Sequence, residues 1–120
     1  MRKLHRLAAC AIGVAVMTGS AVAQAAVAKE ASGKDIAFDR SKGNCLACHA
    51  MPTVPDAESA GLYGTPLIAM SARFPDKARL RAQIWASTAN APSPSLPPYG
   101  KHGILTEQEI DKVTDFVYGL

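Results

Sequence analysis

Cys45-Leu46-Ala47-Cys48-His49 is the stretch on which the interpretation of the whole chain depends. A C-x-x-C-H run is typical of c-type haem attachment, in which two thiols add to the vinyl groups of the porphyrin and an imidazole binds the iron. Residues at i, i+3 and i+4 share one face of a helical turn, so a single turn can present Cys45, Cys48 and His49 together. The spacing therefore predicts one covalently bound haem c, attached through Cys45 and Cys48, with His49 as an axial ligand of the iron.

Three other interpretations of the two cysteines compete with haem attachment. A C-x-x-C pair can be a thioredoxin-like redox site, which usually lies near a βαβ pattern that this sequence lacks. It can be half of a zinc site, but there is no second cysteine pair, and His102 is the only other histidine after the N-terminal segment. It can also be a structural disulfide. The haem interpretation is favoured once the features of the N-terminus are added.

The first 25 residues have the features of a secretory signal peptide. Arg2, Lys3 and Arg6 form a basic beginning, and residues 7–16 form an apolar run that is too short to span a bilayer. Small residues two apart, at 21 and 23 and again at 23 and 25, provide two candidate cleavage sites. We therefore expect residues 1–25, including Cys10, to be removed by cleavage near Ala23 to Ala25 as the chain is exported.

The chain that remains is small and electrically balanced. Cleavage leaves about 95 residues, enough for one domain that buries only about 60–65% of its unfolded surface, so a large apolar cofactor would help it to fold. Loss of the three N-terminal cations reduces thirteen basic residues to ten, which equals the number of acidic ones. This balance gives no support to nucleic-acid binding, and no transmembrane segment remains.

The remaining pattern predicts an all-α domain over residues 35–120, preceded by a flexible lead-in at 26–34. We expect a first helix over 35–48, a loop over 50–64, and a short helix that begins at Thr65-Pro66 and continues to about 72. A further helix is predicted over 76–88, followed by a Pro-rich loop over 89–103. No alternating strand pattern is present.

The final helix is the most clearly marked. Thr106 and Glu109 form a capping box, and Ile110, Val113 and Val117 form one apolar stripe after it. We therefore expect three to four helices around one covalent haem, joined by long Pro-rich loops.

Four basic residues are concentrated between the short helix and the helix that follows it, namely Arg73, Lys77, Arg79 and Arg81. They could form a docking patch for an acidic partner, or they could belong to an ordinary solvated helix face. The solvated face is the simpler interpretation.

Several stretches together resemble class I cytochromes c and, among these, the SoxX family. SoxX is the small monohaem cytochrome subunit of SoxAX complexes. The resemblance covers nearly all of the chain after the signal peptide, and it is carried by residues 43–49, 73–77, 80–85, 97–106, 109–113 and 115–118.

This resemblance implies a specific partner and process. It implies a periplasmic electron-transfer subunit that pairs with a larger, SoxA-like cytochrome. Complexes of this type act as L-cysteine S-thiosulfotransferases, which couple thiosulfate oxidatively to a cysteine of the SoxYZ carrier and release two electrons. The resemblance further implies that this chain passes the electrons to a small soluble cytochrome and is not itself catalytic.

One position departs from the family pattern. A methionine usually precedes the Pro-Pro of the distal loop and is the sixth iron ligand, whereas this chain has Leu96 there. Met70 is the first candidate substitute, followed by His102, while Met51 lies so close to His49 that we expect it on the proximal side. The stiff loop favours an iron that is five-coordinate or capped by water.

Two other functions stay open on the sequence alone. The chain could be a free-standing cytochrome that carries electrons between unrelated partners. It could also be a ligand-binding haem protein that uses the open distal site.

Overall fold

A computed structural model describes residues 29–89 and 95–120, so the predicted signal peptide lies outside the described residues. The helices are α1 (Gly33–Phe38), α2 (Met70–Arg73), α3 (Lys77–Trp85) and α4 (Glu107–Tyr118). Short 3-10 turns lie at Cys45–Ala47 and Ser87–Ala89. The described ranges contain no strand, which agrees with the all-α prediction. None of their helices is long and apolar enough to cross a membrane.

Helix α1 is shorter than predicted. Ser32 and Asp35 form a capping box at its start, in which the Asp35 amide donates to Ser32 Oγ at 3.1 Å and the Ser32 amide donates to Asp35 Oδ2 at 2.9 Å. The predicted continuous helix over 35–48 is wrong, because the chain leaves the helix at Asp39. The Asp39 carboxylate accepts a hydrogen bond from the Ser41 amide at 2.7 Å, and this local turn competes with helical hydrogen bonding.

The segment before α2 is also not the predicted helix. The Leu67 amide donates to the Ala50 carbonyl at 2.8 Å, and the Gly64 amide donates to the Cys48 carbonyl at 2.7 Å. These bonds hold residues 64–67 alongside the end of the C-x-x-C-H stretch, so Thr65 does not cap a helix. Helix α2 begins only at Met70, after Ala69 in a left-handed conformation with φ of 50°.

Helix α3 begins as predicted and ends earlier. Asp76 caps it, with the Ala78 amide donating to Asp76 Oδ1 at 2.9 Å. The helix ends at Trp85, and the predicted last residues form the 3-10 turn instead. Leu80 and Ile84, the predicted i, i+4 pair, are buried.

Helix α4 is the element against which the others pack. The predicted capping box of Thr106 and Glu109 is present, and the predicted stripe of Ile110, Val113 and Val117 is buried. Helices α1, α2 and α3 all contact α4. A Cβ at Gly33 would lie 2.0 Å from the Lys112 carbonyl oxygen, so only glycine permits this close approach of α1 to α4.

Two of the three basic side chains of α3, Lys77 and Arg81, have partners on α4. Lys77 pairs with Asp115 at 2.7 Å, and Arg81 pairs with Asp111 at 2.6 Å and also with Glu107. These ion pairs connect the two helices. The docking-patch interpretation therefore loses Lys77 and Arg81, whose charges are balanced within the chain.

Candidate functional site

Cys45, Cys48 and His49 lie on one turn, as their spacing predicts. The amides of Cys48 and His49 both donate to the Cys45 carbonyl, at 3.2 and 2.9 Å. Asn44 precedes the turn with a left-handed φ of 46°, which asparagine tolerates better than most residues. The two thiols are not bonded to each other, and all three side chains line one cavity of about 530 Å³.

The His49 ring is held by backbone rather than by a side chain. His49 Nδ1 lies 2.6 Å from the Thr65 carbonyl oxygen. A carbonyl only accepts hydrogen bonds, so Nδ1 carries the proton and Nε2 keeps the lone pair that a metal ion needs. A second contact restrains the ring, since a Cβ at Gly64 would lie 2.4 Å from His49 Cε1. Gly64 therefore provides the space that the imidazole occupies.

The cavity is lined mainly by apolar side chains from three parts of the chain. The loop segments, α3 and α4 contribute Leu67, Leu80, Ile84, Leu96, Val113 and Val117. Asn44, Tyr63, Arg73, Gln83 and Ser95 add polar groups to the lining. A large, mainly apolar space with a few polar groups is typical of a cofactor site, and its volume is within the usual range of about 300–1,000 Å³.

These residues fit a covalently attached haem. The two unbonded thiols, the His49 lone pair and the apolar walls match the attachment points, the axial ligand and the flat apolar body of that group. Across the described ranges, no three His, Cys, Asp or Glu side chains converge as a metal site, so the zinc interpretation gains no support. The thioredoxin interpretation gains none either, because these ranges lack the strands of a βαβ unit.

Burial keeps two side chains of the cavity, Cys45 and Tyr99, protonated and therefore neutral. It raises the pKa of the Cys45 thiol to about 11. Burial, with a smaller effect from the two cysteines, raises the pKa of Tyr99 to about 12. The Tyr99 hydroxyl donates to the Gly43 carbonyl, so its proton is engaged in an internal hydrogen bond. No negative charge is placed in the cavity by these groups at neutral pH.

The candidates for the sixth iron ligand lie in different environments. Met70 is buried and lines the cavity, but its Sδ accepts a hydrogen bond from Arg73 Nη1 at 3.2 Å. Leu96 also lines the cavity. His102 is exposed and Met51 is buried, and neither is among the residues that line the cavity. Distal ligation by Met70 stays a prediction.

Sequence reasoning missed the two supports of His49. Gly61 and Gly64 were predicted only to lie in a loop, and a backbone carbonyl such as that of Thr65 leaves no signal in a sequence. Gly43 was predicted to lie inside a helix and instead follows α1, where a Cβ would be 2.7 Å from the Ile36 carbonyl oxygen.

Comparison with known proteins gives one informative similarity. No protein-family model matches the chain, and no curated protein matches it significantly. A crystal structure of SoxXA from P. pantotrophus matches with a TM-score of 0.64 and 26% sequence identity, covering 72% of this chain and 77% of the matched chain. This match agrees with the helical architecture and with the resemblance that the order of the sequence motifs indicated. The chain is therefore SoxX-like, with a class I cytochrome c-like fold.

Proposed function

We propose that this chain is the electron-transfer subunit of a SoxAX-type complex and carries one covalently bound haem c. The observation that carries the proposal is the geometry of His49. Its ring is fixed by the Thr65 carbonyl, with Cys45 and Cys48 on the same turn and an apolar cavity beside all three.

Different residues would attach the cofactor, bind its iron and orient the iron ligand. When bound, a haem c supplies a centre that gains and loses one electron. Cys45 and Cys48 would hold it through thioethers, and His49 Nε2 would bind its iron. The Thr65 carbonyl fixes the tautomer and the orientation of His49, in the way that outer-shell groups usually orient metal-binding histidines. The apolar walls would exclude water from the bound group, which would strengthen electrostatic interactions around it.

The full role that we propose is periplasmic. A SoxA-like partner would couple thiosulfate to a cysteine thiol of a SoxYZ-like carrier, releasing a proton and two electrons. This chain would accept those electrons one at a time and pass them to a small soluble cytochrome. It contributes electron transfer to a thiosulfotransferase, and the sulfur chemistry belongs to the partner. The structural similarity to SoxXA and the sequence features of a signal peptide support this assignment.

Exposed apolar side chains beside the cavity suggest where the partner lies. Tyr63 lines the cavity yet is 77% exposed, and its neighbour Leu62 is 85% exposed. Large apolar side chains this exposed are candidates for a protein contact. A contact here would bring the partner close to the haem, as electron transfer requires.

Co-purification with a SoxA-like subunit tests the assignment. The holoprotein should be exported, co-purify with the larger cytochrome, and accept electrons from it when thiosulfate and carrier are supplied. Leu62→Asp should weaken capture, whereas Ile104→Asp, at an apolar side chain that is 42% exposed on a different segment, should not. A holoprotein that fails to co-purify, but exchanges electrons with unrelated cytochromes, would instead be a free-standing electron carrier.

A further inference from the structure

We infer that His49 is the single axial ligand supplied by the part of the chain that the structure describes, and that the other face of the iron is a binding site for a small uncharged ligand from solution. The inference rests on the proposed haem. It also extends the proposed function, because an electron-transfer subunit needs no exogenous ligand. The inference follows from the hydrogen bonds that already engage other potential ligand atoms around the cavity.

Met70 belongs to the segment that supports His49. Its Sδ accepts a hydrogen bond from Arg73 Nη1, and the same nitrogen donates to the Pro66 carbonyl at 2.8 Å. Pro66 follows Thr65, whose carbonyl holds His49. The Met70 sulfur is thus tied to the wall that carries the first ligand, whereas a second axial ligand must come from the opposite side.

A second wall is formed by residues 95–99, and its polar groups are also engaged. The Ser95 hydroxyl lies 3.1 Å from the Tyr63 hydroxyl, and the Tyr99 hydroxyl donates to the Gly43 carbonyl. Between them this wall adds Leu96 and Pro97 to the cavity lining, and neither side chain has an atom that could bind iron.

The backbone of Leu96 is held by a partly buried hydrogen bond. The hydroxyl of Ser87, whose residue is fully buried, donates to the Leu96 carbonyl at 2.6 Å. The anchored backbone keeps an apolar side chain at this point of the wall.

The chemistry of the walls selects the ligand class. Leu80, Ile84 and Leu96 offer apolar contact only, and a charged ligand moved against them would lose its hydration without compensation. Arg73, the one Lys or Arg among the described residues that line the cavity, already uses Nη1 on Pro66 and Met70. Small uncharged ligands that bind iron through their own electrons, such as carbon monoxide, fit these conditions.

Spectroscopy of the purified holoprotein tests the inference without any activity measurement. The ferric protein should be at least partly high-spin, and the reduced protein should bind carbon monoxide, seen as a saturable change in the haem absorption. Leu96→Met nearly conserves side-chain volume and places a thioether on the second wall. It should make the ferric spectrum low-spin and weaken carbon monoxide binding by about tenfold or more, because the new ligand must be displaced.

Met70→Leu distinguishes the alternative. On our inference the ferric protein stays at least partly high-spin in this variant, because its iron has no thioether ligand to lose. A low-spin ferric spectrum with a sulfur-to-iron charge-transfer band that disappears in Met70→Leu would overturn the inference and identify Met70 as the ligand. Equal carbon monoxide binding by Leu96→Met and the unchanged protein would also overturn it. Either result would leave the covalent haem and the SoxA-like partnership standing, since mass and co-purification report on those separately.

Discussion

At the scale of single residues, His49 depends on two neighbours that provide no functional side chain. The Thr65 carbonyl accepts its Nδ1 proton, and Gly64 leaves room for its ring. A shift of the ring by a few tenths of an ångström would change the direction in which Nε2 points. The orientation of the axial ligand is therefore encoded in the backbone of residues 64–65.

Gly64→Ala should disturb axial ligation while leaving haem attachment intact. The added methyl group would lie 2.4 Å from His49 Cε1 and 2.6 Å from Nδ1, so the imidazole must move and the bond to Thr65 must lengthen. We expect an altered ferric absorption spectrum and an unchanged protein mass. Gly119→Ala is the matched control, because a Cβ there meets its nearest atoms at an ordinary 3.5 Å. Identical spectra for both variants would show that Gly64 does not position the ring.

The residues of the site were predictable to different degrees. The spacing of Cys45, Cys48 and His49 is chemical information that a sequence displays directly. Thr65 acts through its carbonyl, which every residue possesses, so its type gave no clue and instead suggested a helix cap. The role of Gly64 depends on which ring packs against it, and that requires the fold.

At the scale of elements, the helices with strong local signals were predicted best. Asp76 caps α3 and the Thr106–Glu109 box caps α4, and both helices begin where these side chains indicate. The other two predicted helices differ from the structure because of specific hydrogen bonds, one of them local and the others tertiary. Asp39 closes a turn with Ser41, and the backbone of residues 64–67 bonds to the segment around Cys48. Tertiary and side-chain hydrogen bonds there outweighed helix propensity.

The contact between α3 and α4 yields a prediction about charge. Arg81→Glu would place a carboxylate beside Asp111 and Glu107, so repulsion would replace two ion pairs. Partly exposed pairs are typically worth under about 1 kcal/mol each, and we expect a loss of about 1–2 kcal/mol of unfolding free energy for the reversal. Arg79→Glu, on the same helix at an exposed position, should change stability by less than about 0.5 kcal/mol.

Denaturant unfolding of the two holoproteins side by side provides the measurement. Equal midpoints for Arg81→Glu and Arg79→Glu would contradict a structural role for the Arg81 pairs. Such a result would return Arg81 to the solvated face that the sequence alone suggested.

At the scale of the whole molecule, the pKa shifts predict a broad plateau of stability. The Ser32, Ser41 and Lys34 hydrogen bonds lower the pKa values of Asp35, Asp39 and Asp56, and the Lys42 hydrogen bond lowers that of Glu109. Groups with lowered pKa values stabilise the fold above their ordinary values of 3.8 and 4.5, and this contribution is lost as pH falls further. The raised pKa values of Lys42, Lys77 and Arg81 act oppositely, so their contribution is lost only in strong alkali.

Melting temperature measured against pH checks this expectation. Glu109→Gln removes the charge that Lys42 binds, so its melting temperature should fall less steeply below about pH 4.5 than that of the unchanged protein. Glu58→Gln, at an exposed site, should retain the original acid slope. An unchanged slope in Glu109→Gln would refute the assigned linkage.

The mass of the mature protein tests the central claim most directly. The chain should be produced in a host that attaches haem to exported proteins, and its mass measured after acid extraction with organic solvent, which removes haem that is not covalently bound. We expect the polypeptide that begins near residue 26 plus one haem, and no retained haem in the double variant Cys45→Ser with Cys48→Ser. A mature protein with the mass of the bare polypeptide would contradict the account.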